Sequence, residues 1–274
     1  MRNVLYIGDV PLVAEMLFHN EKCQLKGIVV EKDRLNDDLF TFSLVRGIEI
    51  FTVSNAQEIS NIADKVKPDF CLMLSFGKKI PLDVIQKVDI YNIHTSYLPS
   101  YKGRHPTFWA TVKNEKNVGI SLHKVSPEID EGEIVSRYKV PYYIWMNENS
   151  LIESLYGKLE VLVDDLFLYL DGKKSAEPNA QGDYYPPVQE ADYTIDLSTD
   201  SPDVIYNKVR AQVKYRGARL VLSDGQVCWL KKIKFTKATE VNNRKFSEMY
   251  IVGQDCFVHY RADVSIKLID YTLE

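Results

Sequence analysis

Between residues 1 and 140 the hydrophobic positions fall in short apolar runs separated by amphipathic stretches. The runs at 3–7, 25–30, 48–53, 70–74 and 90–94 read as strands. The run at 70–74, Phe-Cys-Leu-Met-Leu, is apolar throughout, as a strand covered on both faces would be. Residues 11–19, 37–46 and 81–88 read as helices, and a further helix, capped by Ser54 or Asn55, runs to Val66. Pro11 suits a first helical turn, Gly47 a helix end, and Glu58 the distal member of a capping box. This alternation predicts an α/β fold built on a parallel, doubly wound sheet. Ligands of such sheets sit beyond the carboxyl ends of the strands.

The pattern then changes. Residues 106–113 read as a helix that opens with Pro106 and carries Trp109, which suits a core anchor. Residues 119–125 and 134–140 read as an antiparallel strand pair, with the polar loop 126–133 and its Asp130 at one tip of the sheet. Ser150 is expected to cap one long helix through Leu170, closed by Gly172. Leu151, Leu155, Leu159, Leu162, Val163, Leu166 and Leu170 recur in it at helical spacing and should be core. Residues 176–187, with Pro178, Gly182, Pro186 and Pro187, read as a linker. Beyond it come a short helix at 202–211 and strand-like runs at 218–222, 227–235, 249–252, 256–260 and 265–269. The expected division is a catalytic domain at 1–183 and a smaller β-rich domain at 184–274.

Composition narrows the functional classes. Of 274 residues 45% are hydrophobic, enough for a sizeable core. The formal net charge of −4 gives no overall basic field, so nucleic acid is not the expected partner. Every apolar stretch is soon broken by charge, which argues against a membrane span, and the first residues lack a signal-peptide run. Cys23, Cys71, Cys228 and Cys256 form no Cys-x-x-Cys pair. The expectation is therefore no disulfide framework and no metal, with reduced thiols in the cytoplasm. Neither a Gly-x-Gly-x-x-Gly fingerprint nor a Gly-rich loop ending in Lys-Ser or Lys-Thr is present, so neither a dinucleotide nor an ATP-type cradle is supported.

Chemistry concentrates between Tyr91 and Glu133. On a strand, side chains two apart share a face, so Asn92 and His94 project together where the chain leaves its strand. An amide donor can hold an oxyanion and an imidazole can move a proton. His123 lies on an alternating strand, and a buried structural histidine and a site residue are equal readings for it. His105 has equal claims as a solvated or a substrate-facing residue, and His19 and His259 offer no site argument.

The ordered set Asn92-x-His94, Ser96-x-Leu98-Pro99-x-Tyr101-x-Gly103, Pro106-x-x-Trp109-Ala110, Gly119-Ile120-x-x-His123 and Ile129-Asp130-x-Gly132-x-Ile134 resembles the formyltetrahydrofolate-dependent formyltransferases. The resemblance implies a Rossmann-like formyltransferase fold, 10-formyltetrahydrofolate as cosubstrate, a primary amine as acceptor, and Asn92, His94 and Asp130 as catalytic residues. It also implies a folate pocket between the loop after the strand at 70–74 and the Asp130 loop. Phe76, Gly77, Lys78 and Ile80 are the cofactor-binding candidates there.

Three acceptors compete. Initiator tRNA would require a basic appended domain, yet the lysines and arginines of 188–274 are interleaved with acids such as Asp192, Asp203 and Glu248. Glycinamide ribonucleotide would fit a chain ending near the long helix, and this one continues. A nucleotide-linked amino sugar, dTDP-linked by base rate and destined for surface polysaccharide, fits best. A diphosphate needs cations and a base needs an aromatic shelf. Tyr101, Lys102, Tyr185, Lys208, Arg210 and Tyr215 are the substrate-binding candidates. The alternatives are a methionyl-tRNA formyltransferase and a formyltetrahydrofolate hydrolase. The short strands of the last third leave edges that suit a homodimer.

Overall fold

The computed structural model describes residues 1–238, 245–261 and 263–274. In chain order the first half comprises β1 (Arg2–Gly8), α1 (Pro11–His19), β2 (Cys23–Glu31), α2 (Asp37–Arg46), β3 (Ile50–Val53), α3 (Glu58–Val66), β4 (Phe70–Leu74), α4 (Leu82–Lys87), β5 (Ile90–His94), β6 (Lys102–Gly103), α5 (Pro106–Val112), β7 (Gly119–Lys124) and β8 (Ile134–Lys139). There follow α6 (Glu148–Tyr156), α7 (Leu159–Leu170), β9 (Tyr184–Tyr185), α8 (Glu190–Tyr193), β10 (Thr194–Ile195), α9 (Pro202–Ala211), β11 (Ala218–Val221), β12 (Val227–Lys237), β13 (Met249–Val252), β14 (Asp255–Arg261) and β15 (Val264–Leu273). Two compact units result. One takes Met1–Arg104, Asn117–Val140 and Leu155–Tyr185, the other His105–Lys116, Pro141–Ser154 and Pro186–Glu274.

The first unit holds the doubly wound sheet that the alternation predicts. Its seven strands run in the order β3-β2-β1-β4-β5-β7-β8. β3, β2, β1, β4 and β5 are mutually parallel, β7 runs antiparallel to β5, and β8 runs antiparallel to β7. All five residues of β4 are buried, as its unbroken apolar run requires. Leu5, Ile7, Val29, Cys71, Met73 and Ile90 form one continuous core with Ile59 and Val84 of the covering helices. The helix expected to be capped by Ser54 or Asn55 instead starts at Glu58, with Gln57 at its N-cap and no side-chain cap bond. Glu58 Oε1 accepts from the backbone N–H of both Ser54 and Asn55 at 3.0 Å in the turn before it.

Two further expectations are corrected. The single long helix is two helices, because Gly157 and Lys158 interrupt it, and Lys158 leaves helical geometry at φ −105° and ψ 0°. Its first turn is capped by Asn147, whose Oδ1 accepts from the Ser150 N–H at 3.0 Å. The leucine spacing survives the break, with Leu155, Leu159, Leu162 and Leu166 buried.

The stretch 176–187 is no free linker over its first ten residues. Glu177 makes a bridge with Ile134, and β9 pairs in parallel with β6. Asn179 Nδ2 donates to the carbonyls of Asp130 at 2.8 Å and Gly132 at 3.1 Å. It lacks hydrophobic periodicity because its bonds are made by backbone and amide groups.

The second unit carries a six-stranded sheet in the order β10-β11-β12-β15-β14-β13, antiparallel except for β10 with β11. Ile205 and Val209 of α9 share its core with Leu220, Leu230, Val258, Ile266 and Leu268. Ser201 caps α9 through the Val204 N–H, and Pro202 occupies its first turn. Among the described residues no helix is long and apolar enough to cross a membrane.

Candidate active site

β5 is a central strand, and its last turn of pleat carries Asn92 and His94 at the carboxyl end of the parallel sheet. β7 runs antiparallel beside it, and the register places His123 opposite Asn92. The loop from β7 to β8 then returns Asp130 to the same place. Asp130 sits in the left-handed region at φ 54°, and Gly132 just after it approaches the backbone closely. A Cβ on Gly132 would lie 1.7 Å from the Lys124 carbonyl oxygen, so only glycine lets the loop close.

Asp130 is the hub. One carboxylate oxygen lies 3.6 Å from His94 Nδ1 and accepts from the Gly103 N–H at 2.8 Å. The other lies 3.4 Å from His123 Nε2. Asp130 and both histidines are buried, and Asn92 is half-buried. Burial pushes the Asp130 carboxyl up. The charges of His94 and His123, the hydrogen bond from His123 and the Gly103 N–H outweigh it and hold the group far below the usual carboxylate range. Asp130 is therefore a fixed anion.

The imidazoles are oriented by backbone oxygens. His94 Nε2 lies 2.9 Å from the Tyr101 carbonyl, so Nε2 carries the hydrogen and donates it. Nδ1 then faces Asp130 at 3.6 Å, beyond hydrogen-bond length but close enough for that anion to stabilise a proton arriving there. His123 Nδ1 lies 3.0 Å from the Lys124 carbonyl and donates to it, and its Nε2 sits between Asn92 Nδ2 at 3.1 Å and Asp130 Oδ1 at 3.4 Å. An amide donor, a proton-accepting imidazole and a fixed anion can together stabilise a tetrahedral oxyanion and carry a proton away from an attacking nucleophile.

Tyr101 presents its carbonyl to His94 from a left-handed backbone at φ 56°, and its ring stacks on Tyr185 with centroids 4.8 Å apart. Lys102 beside it is turned inward. Its ammonium, with the residue 1% exposed, lies 2.5 Å from Glu131 and donates to the Ala180 carbonyl at 2.9 Å.

The structure thus brings Asn92, His94 and Asp130 together and adds His123 to them. Of the cofactor-binding candidates, Ile80 is buried and Phe76 packs against the core of the first unit. The Gly77 N–H and the Lys78 ammonium both point to Glu31, at 2.6 and 2.9 Å.

Lys208, Arg210 and Tyr215 belong to the second unit. Lys208 Nζ is held by Asp200 at 2.7 Å and the Thr194 carbonyl at 2.8 Å. Arg210 is 4% exposed and donates to Asn207, Tyr142, Met146, Thr111 and Asn114. Tyr215 keeps an exposed ring.

Sequence reasoning left His123 undecided and could not see the Tyr101 carbonyl or the Gly103 N–H, since main-chain groups leave no residue signature. The antiparallel register of β5 and β7, which sets Asn92 against His123, is the signal that assigns His123.

Comparison with known proteins points to the same chemistry. The methionyl-tRNA formyltransferase of Finegoldia magna is 25% identical over 247 residues, covering 82% of this chain and 78% of that protein. The sugar 3N-formyltransferase WlaRD, solved in the presence of dTDP and 5-N-formyltetrahydrofolate, superposes with a TM-score of 0.69 at 16% identity, covering 98% of this chain and 97% of that one. HypX from Aquifex aeolicus in complex with tetrahydrofolic acid superposes with a TM-score of 0.70 at 19% identity over 97% of this chain, which spans only 43% of HypX. At these identities the two structures establish the fold. Residues 39–160, which include Asn92, His94, His123 and Asp130, match the formyl transferase family model, so this stretch of the chain carries a formyl transferase domain.

Proposed function

We propose that this enzyme moves the formyl group of 10-formyltetrahydrofolate to the amine of a nucleotide-linked amino sugar. The observation that carries the reading is the convergence of Asn92, His94 and His123 on the buried Asp130 anion. In the reaction the amine nitrogen bonds to the formyl carbon and the carbonyl oxygen becomes an oxyanion. The carbon–N10 bond then breaks, and tetrahydrofolate departs with the electron pair and a proton. Asn92, the least buried of the four, donates its side-chain N–H to the oxyanion. His94 receives the amine's proton, and Asp130 offsets the charge so created.

Solved relatives of this fold support the acceptor class: WlaRD is a sugar 3N-formyltransferase, and a Francisella tularensis relative is a 4-N formyltransferase. A thymidine diphosphate carrier is suggested by the dTDP in the WlaRD structure. Tetrahydrofolate in HypX and 5-N-formyltetrahydrofolate with WlaRD support the cosubstrate. Phe76, Gly77, Lys78 and Ile80 are proposed to frame it. Tyr101, Lys102, Tyr185, Lys208, Arg210 and Tyr215 remain the acceptor candidates. The protein partners of Lys102, Lys208 and Arg210 weigh against those three as direct ligands.

The mixed charges of the second unit also weigh against tRNA, although sequence relatives include methionyl-tRNA formyltransferases. A cytoplasmic homodimer completes the proposal, and light scattering tests the dimer.

The deciding experiment follows tetrahydrofolate release from 10-formyltetrahydrofolate with dTDP-, UDP- and GDP-linked amino sugars, with charged initiator tRNA, and with buffer alone. Release only with an amino sugar is expected. Release with tRNA alone, or formate release in buffer, would replace the sugar reading.

A further inference from the structure

At the carboxyl end of β2 a carboxylate is buried for a reason the transfer chemistry does not use. Glu31 is 6% exposed, yet it is ionised against its surroundings. Burial raises its carboxyl, and the Gly77 N–H, Lys78 and Arg34 together bring it below the ordinary value. Each oxygen has its own partner on the loop after β4. Oε1 accepts from the Gly77 N–H at 2.6 Å and lies 3.5 Å from Arg34 Nη1. Oε2 lies 2.9 Å from Lys78 Nζ.

Arg34 closes a second link. Its Nη2 lies 2.7 Å from Asp9 at the end of β1, and donates to Ser75 Oγ at 2.9 Å. Ser75 itself is held at φ 63°, a left-handed conformation that an isolated serine avoids. A Cβ on Gly77 would fall 2.8 Å from Arg104 Nη2 and 3.0 Å from Glu31 Oε1, so the turn is packed closely around these charges. Phe76 and Ile80 are meanwhile turned into the core. The loop therefore has its apolar side chains anchored below and its polar middle clasped from the side.

We propose that Glu31 is a positioning residue for the folate-facing loop 75–80, and that Lys78 acts as the tether of that loop and not as a charge on the folate. The inference rests on the reading of this loop as the cofactor wall. With its ammonium bound to Glu31, Lys78 fixes the backbone N–H and C=O groups around it, which are the groups a flat heterocycle would meet. Preorganisation of this kind acts on cosubstrate affinity and leaves the chemical step largely alone.

The test varies 10-formyltetrahydrofolate at saturating amino sugar for Glu31→Ala, Glu31→Gln, Lys78→Met and the Glu31→Ala/Lys78→Met double variant. Glu31→Ala is expected to raise KM for the formyl donor about tenfold, with kcat within about threefold of wild type. Glu31→Gln, whose amide oxygen still accepts from Gly77, should raise it less. Lys78→Met should add nothing to Glu31→Ala, because both break one clasp. An unchanged KM, a fall in kcat that matches the rise in KM, or multiplied effects in the double variant would overturn the proposal.

Amide hydrogen exchange at Gly77 gives a readout that needs no folate. Exchange about tenfold faster in Glu31→Ala supports the clasp, and unchanged exchange overturns it. Should wild type give no turnover with any amino sugar while Gly77 exchange still responds, the functional reading fails and the clasp stands.

Discussion

Asp130 in the first unit and Arg210 in the second are both buried charges with many partners, but the partners differ in quality. Arg210 reaches Asn207 and Asn114 side chains at 2.9 Å, the Tyr142 hydroxyl at 2.6 Å, and the carbonyls of Met146 at 2.9 Å and Thr111 at 3.3 Å. Its guanidinium also lies over the Tyr142 ring at 4.8 Å. That exhausts what a five-donor side chain can offer. Asp130 makes one short hydrogen bond, to Gly103, and faces two imidazoles at 3.4 and 3.6 Å. The saturated cluster has only a structure to hold. Under the proposed mechanism the looser one keeps charge stabilisation in reserve for a proton that arrives during the reaction.

The sharpest way to break this comparison is to remove one member from each side. Asn92→Ala, His94→Ala and Asp130→Ala should each lower turnover on the order of 10²–10³. Asn92→Ala is the cleanest, because a half-buried amide can be truncated with little loss of packing. Its melting temperature should stay within a few degrees of wild type. Turnover near the wild-type level in any of the three would take that residue out of the chemistry.

Arg210→Ala should do the reverse. It strands buried acceptors on three separate segments of the second unit, α5, 141–147 and α9. Its cost is about 3 kcal/mol of unfolding free energy, read by denaturant titration. Stability within 0.5 kcal/mol or so of wild type would show that the cluster is less tightly coupled than its distances imply.

These two clusters also mark how far the sequence could be read. The doubly wound sheet was legible because the alternation of apolar runs and amphipathic stretches has only one economical packing. Asn92 and His94 were legible because a strand of period two must put them together. Asp130 was reached through the ordered motif, not through periodicity. His123 could not be assigned before the order of β5 beside β7 was known.

Arg210 and Lys208 looked like ligands because a cation near a domain junction suggests phosphate, and nothing in a sequence shows that the cation already has acceptors. The segments 105–116 and 141–154 fold with the second unit for the same reason. They bond to Arg210 and to each other, as Thr107 Oγ1 does to Glu148 Oε1 at 2.7 Å, and they carry no linear boundary signal.

A pH titration sharpens the contrast from the side of stability. The folded Asp130 carboxyl lies below its unfolded value, so its stabilisation is present above the ordinary carboxylate pKa and is lost as pH falls toward the folded one. Acidification below about pH 4 should therefore remove up to about 1.4 kcal/mol per pH unit through this group. Asp130→Asn should lose less over the same range. Equal acid sensitivity in the two proteins would mean that Asp130 is not held as an anion by its histidines. Arg210 gives no such dependence there, because its guanidinium stays charged throughout.

The smallest effect is expected at Tyr215. The residue is 49% exposed, with Lys214 Nζ 5.9 Å from its ring centroid. An exposed ring flanked by a cation is suited to a flat base carrying a diphosphate. Replacing it with alanine removes the exposed stacking face. Tyr215→Ala should raise KM for the nucleotide-linked sugar about threefold to tenfold, within the range of one aromatic contact, and leave both kcat and the melting temperature in place. Tyr215→Phe should restore the KM, since stacking needs the ring and not the hydroxyl. A KM that Tyr215→Ala leaves unchanged would remove the second unit's one exposed aromatic candidate and shift the search for the base toward Tyr101 and Tyr185, which already stack on each other in the first unit.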